Sequence, residues 1–143
     1  MKTLLSSVLL IFLLFASSCK DENPYTIPYV MVNFQVYPNL GDSDLGVSKT
    51  KVFPHYGYRG VMVYNSGLGG SGRFIAYDCA CPYDTQNPKA IVAVDPSGLI
   101  AICPVCGSKY IITDGYPFAG PARNPLLQYH ASYNGDIVYV SNN

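Results

Sequence analysis

The sequence predicts a small all-β domain, an antiparallel sandwich or barrel. After Cys19, no segment places apolar residues at helical spacing over three turns. Short runs of β-branched and aromatic residues recur instead, each cut by Gly, Pro, Asn or Asp. Two of the cuts are hairpin turns, Asp95-Pro96-Ser97-Gly98 and Tyr133-Asn134-Gly135-Asp136, and Asn-Gly is the strongest short hairpin signal. Composition agrees: 13 Tyr, 13 Gly and 11 Pro with no Trp suit a loop-rich sheet protein carrying a half-buried aromatic surface.

The chain opens on a segment apart from that domain. Met1 to Ser18 has a basic Lys2, an apolar run from Leu4 to Phe15 too short to span a bilayer, then small residues. It ends in Ala16-Ser17-Ser18-Cys19, which resembles a bacterial lipobox, and Lys20-Asp21-Glu22 resembles the export tag of surface lipoproteins of the Bacteroidetes group. The resemblance implies a signal peptide over residues 1–18 and acylation of Cys19. It also implies a lipidated tether over residues 19–28, extended from Pro24 to Pro28, and one domain over residues 29–143. The expected place is the outer membrane, on the cell surface or the periplasmic face, anchored stably by several acyl chains.

Within the domain, strands are expected at Tyr29–Tyr37, Val61–Tyr64, Arg73–Asp78, Ala90–Val94, Leu99–Ile102, Tyr110–Ile112, Leu127–Ser132 and Asp136–Val140. Asn39–Ser48 and Ser66–Gly72 read as loops. The second is Gly-rich, yet it lacks the Lys-Ser/Thr ending and the following helix of a phosphate loop, so it reads as a hairpin connection. His55 and His130 are the only imidazoles, and both are expected to be partly buried. No Ser-His-Asp set or close carboxylate pair suggests a catalytic site. Charged residues make up 13%, with nine of each sign and no basic run, which argues against nucleic acid as a partner.

The chemistry lies in two cysteine pairs, Cys79-Ala80-Cys81 and Cys103-Pro104-Val105-Cys106, each in a short Pro-containing loop between β-rich segments. Four converging thiols hold an iron–sulfur cluster, hold zinc, or oxidise to disulfides. A bond within either loop is disfavoured, because residues two or three apart rarely meet disulfide geometry, so any disulfide is expected across the loops.

The strings around the cysteines are more specific. Cys79-Ala80-Cys81-Pro82, then Cys103-Pro104-Val105-Cys106-Gly107-Ser108-Lys109-Tyr110, then Gly120-Pro121-Ala122, resemble the two cluster loops and the capping loop of Rieske domains. The likeness runs from about Gly72 to Val140. It implies an all-β Rieske-like sandwich or barrel with a two-loop cluster-binding subdomain, holding a [2Fe–2S] cluster through Cys79, Cys81, Cys103 and Cys106. It further implies that Ser108 and Tyr110 donate hydrogen bonds to sulfur, and that Gly120 and Pro121 cap the site. The implied function is electron transfer with a redox partner protein.

The departure from the Rieske pattern is equally sharp, for Cys81 and Cys106 stand where those domains have histidine. With thiolates in place of imidazoles, a cluster is expected near roughly −400 mV, with no imidazole-linked pH dependence. Zinc is the alternative, since Cys-Pro-x-Cys-Gly also makes a zinc knuckle. The signal has no twin arginine and resembles the pathway that exports chains unfolded. An iron centre would then have to be acquired outside the cytoplasm, whereas zinc or cross-loop disulfides, serving binding or structure, meet no such obstacle.

Overall fold

The structure, a computed structural model, describes residues 26–142, so the expected signal peptide, Cys19 and most of the tether lie outside the described residues. Ten strands follow in order: β1 (Asn33–Val36), β2 (Thr50–Phe53), β3 (Val61–Asn65), β4 (Phe74–Asp78), β5 (Ala93–Val94), β6 (Ile100–Ile102), β7 (Lys109–Ile111), β8 (Pro117–Ala119), β9 (Gln128–Tyr133) and β10 (Val138–Ser141). They form two antiparallel sheets, a six-stranded one ordered β1-β10-β9-β4-β3-β2 and a four-stranded one ordered β5-β6-β7-β8. The all-β expectation holds.

The large sheet curls into a half-barrel. β1 and β2 are its opposite edges, yet the rings of Phe34 and Phe53 approach to 5.2 Å, and Tyr56 stacks on Phe34 at 4.0 Å. Edge-to-edge closure is therefore made by side chains. Inside the curl lies one core, built on Val36, Val61, Val63, Ala76, Val138 and Val140.

A second core lies on the other side of β3 and β4, under the small sheet. The sequence of β3, Val61-Met62-Val63-Tyr64-Asn65, is buried at every position because it serves both cores. Val61 and Val63 face the half-barrel interior, while Met62 and Tyr64 face the small sheet. Period-2 alternation gives a strand one apolar face, so an unbroken apolar run is what two-sided burial demands. The same division runs through β4, where Phe74 and Ala76 point one way and Tyr77 the other.

Both hairpin turns form as expected. Asp95–Gly98 joins β5 to β6, with the Gly98 amide donating to the Asp95 carbonyl and Gly98 at φ +77°. At the β9–β10 turn, Asn134 Oδ1 accepts from the amides of Asp136 and Ile137.

Several expectations need correction. β2 and β8 lie outside the expected strands; both are short, β2 half-buried and β8 mostly exposed, so neither carries a clean apolar pattern. The strand expected over Tyr29–Tyr37 pairs only from Asn33. Ahead of it, Asn142 holds the chain: its backbone amide donates to the Val32 carbonyl at 3.2 Å, while its side chain accepts from the Val32 amide at 2.6 Å and donates to the Val30 carbonyl at 3.1 Å. The strand expected over Ala90–Val94 begins only at Ala93, because Ala90 and Val92 bond the first cysteine loop instead. His55 and His130 are exposed rather than partly buried, as each lies outside both cores.

Candidate metal centre

The two cysteine loops meet in the second core, between the large and small sheets. The first is fixed largely by backbone pairing. The Cys79 amide donates to the Gly60 carbonyl, the Cys81 amide to the Ala90 carbonyl, and the Val92 amide to the Cys79 carbonyl, while Ala80 bridges Ile91. The second loop is a tight knuckle joining β6 to β7. The Cys103 amide donates to the Ser108 carbonyl and the Gly107 amide to the Cys103 carbonyl, with Gly107 at φ +73°. Knuckles of this form need a left-handed residue, which glycine supplies without a Cβ penalty.

Three of the four thiols come together. The sulfurs of Cys81, Cys103 and Cys106 all lie within 4.8 Å of one another, and those of Cys81 and Cys106 are 3.6 Å apart. Cys79 Sγ lies outside this set. It sits beside Gly60, whose added Cβ would lie 3.8 Å from it, and it takes a hydrogen bond from the Met62 backbone. Cys79, Cys81 and Cys103 are buried, Cys106 is half-buried, and none of the four is in a disulfide.

Hydroxyl groups face two of the sulfurs. The buried Tyr110 hydroxyl lies 3.3 Å from Cys81 Sγ, and buried Ser108 Oγ lies 3.1 Å from Cys106 Sγ. The Ala122 amide donates to Ser108 Oγ at 3.0 Å. That bond occupies one lone pair of the hydroxyl oxygen and the Cys106 thiol donates to it as well, so the hydroxyl proton of Ser108 is available to Cys106 once that thiol ionises. Gly120 packs on Ser108 so closely that a Cβ there would lie 2.5 Å from Ser108 Cα. Pro121 is exposed and shares a small cavity of about 100 Å³ with Pro82 and Tyr83.

Electrostatics separate the thiols. Burial pushes Cys79 up to about 12, helped by the charge of Asp78, and burial likewise pushes Cys103 up to about 12. For Cys106, burial works upward but is outweighed by the Ser108 hydroxyl and amide and by the neighbouring thiols, so it falls below its ordinary value. Burial, then the contact with Cys81, raises Tyr110 well above the usual phenol range and keeps it a donor.

One residue that organises the site escaped the sequence reading. Asp78, fully buried, accepts from the amides of Tyr58 (2.6 Å), Arg59 (3.2 Å) and Ala80 (2.8 Å) and from the Tyr129 hydroxyl (2.9 Å). It ties the segment ahead of β3, the first cysteine loop and β9 to one carboxylate. Its signal was a lone charge ending the apolar run Phe74-Ile75-Ala76-Tyr77, immediately before Cys79.

The residues fit a thiolate-bound metal. Three sulfurs are already assembled, hydroxyls face two of them, the surroundings are apolar, and a fourth thiol lies two residues from Cys81 on the same loop.

No family model matches this sequence, and no curated protein is significantly similar to it. Solved structures do match. One is the ferredoxin of carbazole 1,9a-dioxygenase from Nocardioides aromaticivorans IC177, at a TM-score of 0.54 and 18% identity over 80% of this chain and 100% of that one. Another comes from a complex of reduced oxygenase and oxidized ferredoxin in carbazole 1,9a-dioxygenase, at 0.52 and 19% over 77% and 93%. This chain thus has the fold of Rieske-type ferredoxins, as its loop strings imply.

Proposed function

We propose that this protein is a membrane-tethered electron carrier whose two cysteine loops hold an iron–sulfur centre of the [2Fe–2S] type. The observation that carries the reading is the pairing of thiols with hydroxyls, Ser108 against Cys106 and Tyr110 against Cys81. Hydrogen bonds to ligand sulfurs disperse negative charge and set a potential, a need that is acute where all ligands are thiolates. When bound, such a centre supplies one-electron transfer. The chain's residues would hold it, shield it in the second core and leave Cys106 near the surface, where a redox partner protein docks. The ferredoxin fold supports this reading, and the Cys19 motif supports the tether.

The second reading is a structural zinc ion, favoured by one specific observation. Sulfurs around a single zinc at Zn–S distances of about 2.3 Å sit roughly 3.8 Å apart. The Cys81, Cys103 and Cys106 sulfurs approach that arrangement, with Cys79 outside it. A two-iron cluster takes two ligands on each iron and requires the Cys79 thiol to turn inward.

Protein purified without oxygen and examined by visible absorption and metal analysis decides between them. The iron–sulfur reading expects colour, with iron and acid-labile sulfide in equal amounts, and loss of both in Cys79→Ala. Colourless protein carrying about one zinc per chain, retained in Cys79→Ala, overturns it and establishes zinc.

A further inference from the structure

Cys106 is the one thiol of the four that is not buried, and the sulfur opposite it across the loops, that of Cys81, is 3.6 Å away. We propose that in the metal-free protein these two thiols close a cross-loop disulfide, Cys81–Cys106, and that this disulfide shuts the metal site. The exclusion of metal rests on the metal-site reading above, whereas the disulfide stands on the geometry alone.

The oxidant is a small-molecule disulfide such as oxidised glutathione. Cys106 Sγ, the reachable sulfur, attacks one oxidant sulfur as a thiolate and releases the other half as a thiol, leaving a mixed disulfide on Cys106. Cys81 Sγ then attacks the Cys106 sulfur and expels the second half. Two protein thiols are oxidised, one disulfide is reduced to two thiols, and the two protons end on the released thiols.

Geometry selects the resolving group. The Cys81 and Cys106 sulfurs must close by about 1.5 Å to reach bonding distance. Cys103 also lies within 4.8 Å of Cys106. It sits three residues away in the same knuckle, and a bond between those two would stay within the fragment of residues 90–109, so the linkage map separates it from the cross-loop bond that the 3.6 Å contact points to. Cys79 faces Gly60 instead. Once bonded, Cys81 and Cys106 are no longer anionic donors, and two of the three assembled ligands are withdrawn. The site then loads only in the reduced chain.

The test uses the full chain, stripped of metal under reducing conditions, treated with oxidised glutathione, alkylated, and digested with trypsin without reduction. Cleavage after Arg73, Lys89 and Lys109 leaves Cys79 and Cys81 on residues 74–89, and Cys103 and Cys106 on residues 90–109. The expected result is a link between these fragments in the wild type, Cys79→Ser and Cys103→Ser, lost in Cys81→Ser and Cys106→Ser. Zinc(II) uptake by the oxidised chain is expected to fall at least about tenfold, and dithiothreitol to restore it. A link that persists in Cys81→Ser or Cys106→Ser, or a chain that keeps all its thiols, overturns the proposal. Failure of the iron–sulfur reading appears elsewhere, as colourless protein after reconstitution with iron and sulfide, and leaves the linkage map unchanged.

Discussion

Two glycines flank the thiol-facing hydroxyl of Ser108, and exchanging each for alanine isolates the grip of the capping loop. Gly120 has φ +90°, and a Cβ there would lie 2.5 Å from Ser108 Cα, 2.8 Å from its amide nitrogen and 2.9 Å from Oγ. Gly107 has a similar φ of +73°, with nothing within 4 Å of its Cβ position. Both substitutions pay for a left-handed non-glycine residue, about 1–2 kcal/mol. Gly120→Ala alone adds a collision with backbone, about 1–3 kcal/mol more. The expected losses are therefore about 1–2 kcal/mol for Gly107→Ala and about 2–5 kcal/mol for Gly120→Ala, the latter a large share of an ordinary domain's stability. At about 4 °C per kcal/mol for a domain of this size, Tm falls by about 4–8 °C and 8–20 °C respectively. Urea and thermal unfolding of the reduced, metal-free protein, followed by circular dichroism, measures both. Equal losses, or a greater loss for Gly107→Ala, would show that the capping loop does not press on Ser108.

Ser108→Ala removes the group that leads the lowering of Cys106, so the Cys106 thiol should rise. Iodoacetamide labelling of that residue, followed by mass spectrometry against pH, should titrate at higher pH and run slower at neutrality, because less thiolate is present. Asp78→Ala strands three amides and the Tyr129 hydroxyl, at about 1–3 kcal/mol per unsatisfied donor. Its urea midpoint should collapse, while Asp78→Asn, which keeps one acceptor oxygen, falls less. Cys79 titrates near 9 when unfolded and near 12 when folded, so its contribution is complete below pH 9 and declines as pH rises toward 12, by about 1.4 kcal/mol per pH unit. Between pH 9 and 11 the stability of metal-free Cys79→Ala should therefore decline less steeply than that of the wild type, and equal slopes would contradict the assigned burial.

How far the sequence discloses this molecule depends on where each residue's partners lie. Val61–Asn65 is legible because both of its faces are buried, which writes an unbroken apolar run into the chain. Thr50–Phe53 is not, since it is an edge strand with half-exposed side chains, held in place by the Phe34–Phe53 contact across the curl. Pro117–Ala119 begins on a residue without an amide proton, is mostly exposed, and pairs with Lys109 and Tyr110 through a register shift, so no clean alternation marks it. Within the site, Cys81, Cys103, Cys106, Ser108 and Tyr110 are legible as candidates because two short loop strings carry them. The direction of the Cys79 side chain does not, because it is decided by Gly60 and Met62, which no local spacing reveals.

The thiol electrostatics bear on what a cation would do at the site. Cys79 and Cys103 are driven toward their neutral forms by an apolar core, and Asp78 adds a fixed negative charge beside the first of them. Thiolate ligation in such surroundings is uphill unless positive charge arrives with it, since a buried anion without a partner is costly. The Ser108 and Tyr110 hydroxyls offset part of that cost at Cys106 and Cys81, and a metal ion would offset the remainder. Loading must then expel thiol protons, so metal affinity should fall as pH falls, whichever metal is held. The same apolar shell that makes the empty thiols weak acids strengthens every charge interaction once a cation is bound, and this is how a small β domain with few charged residues can carry an anionic ligand set in its interior.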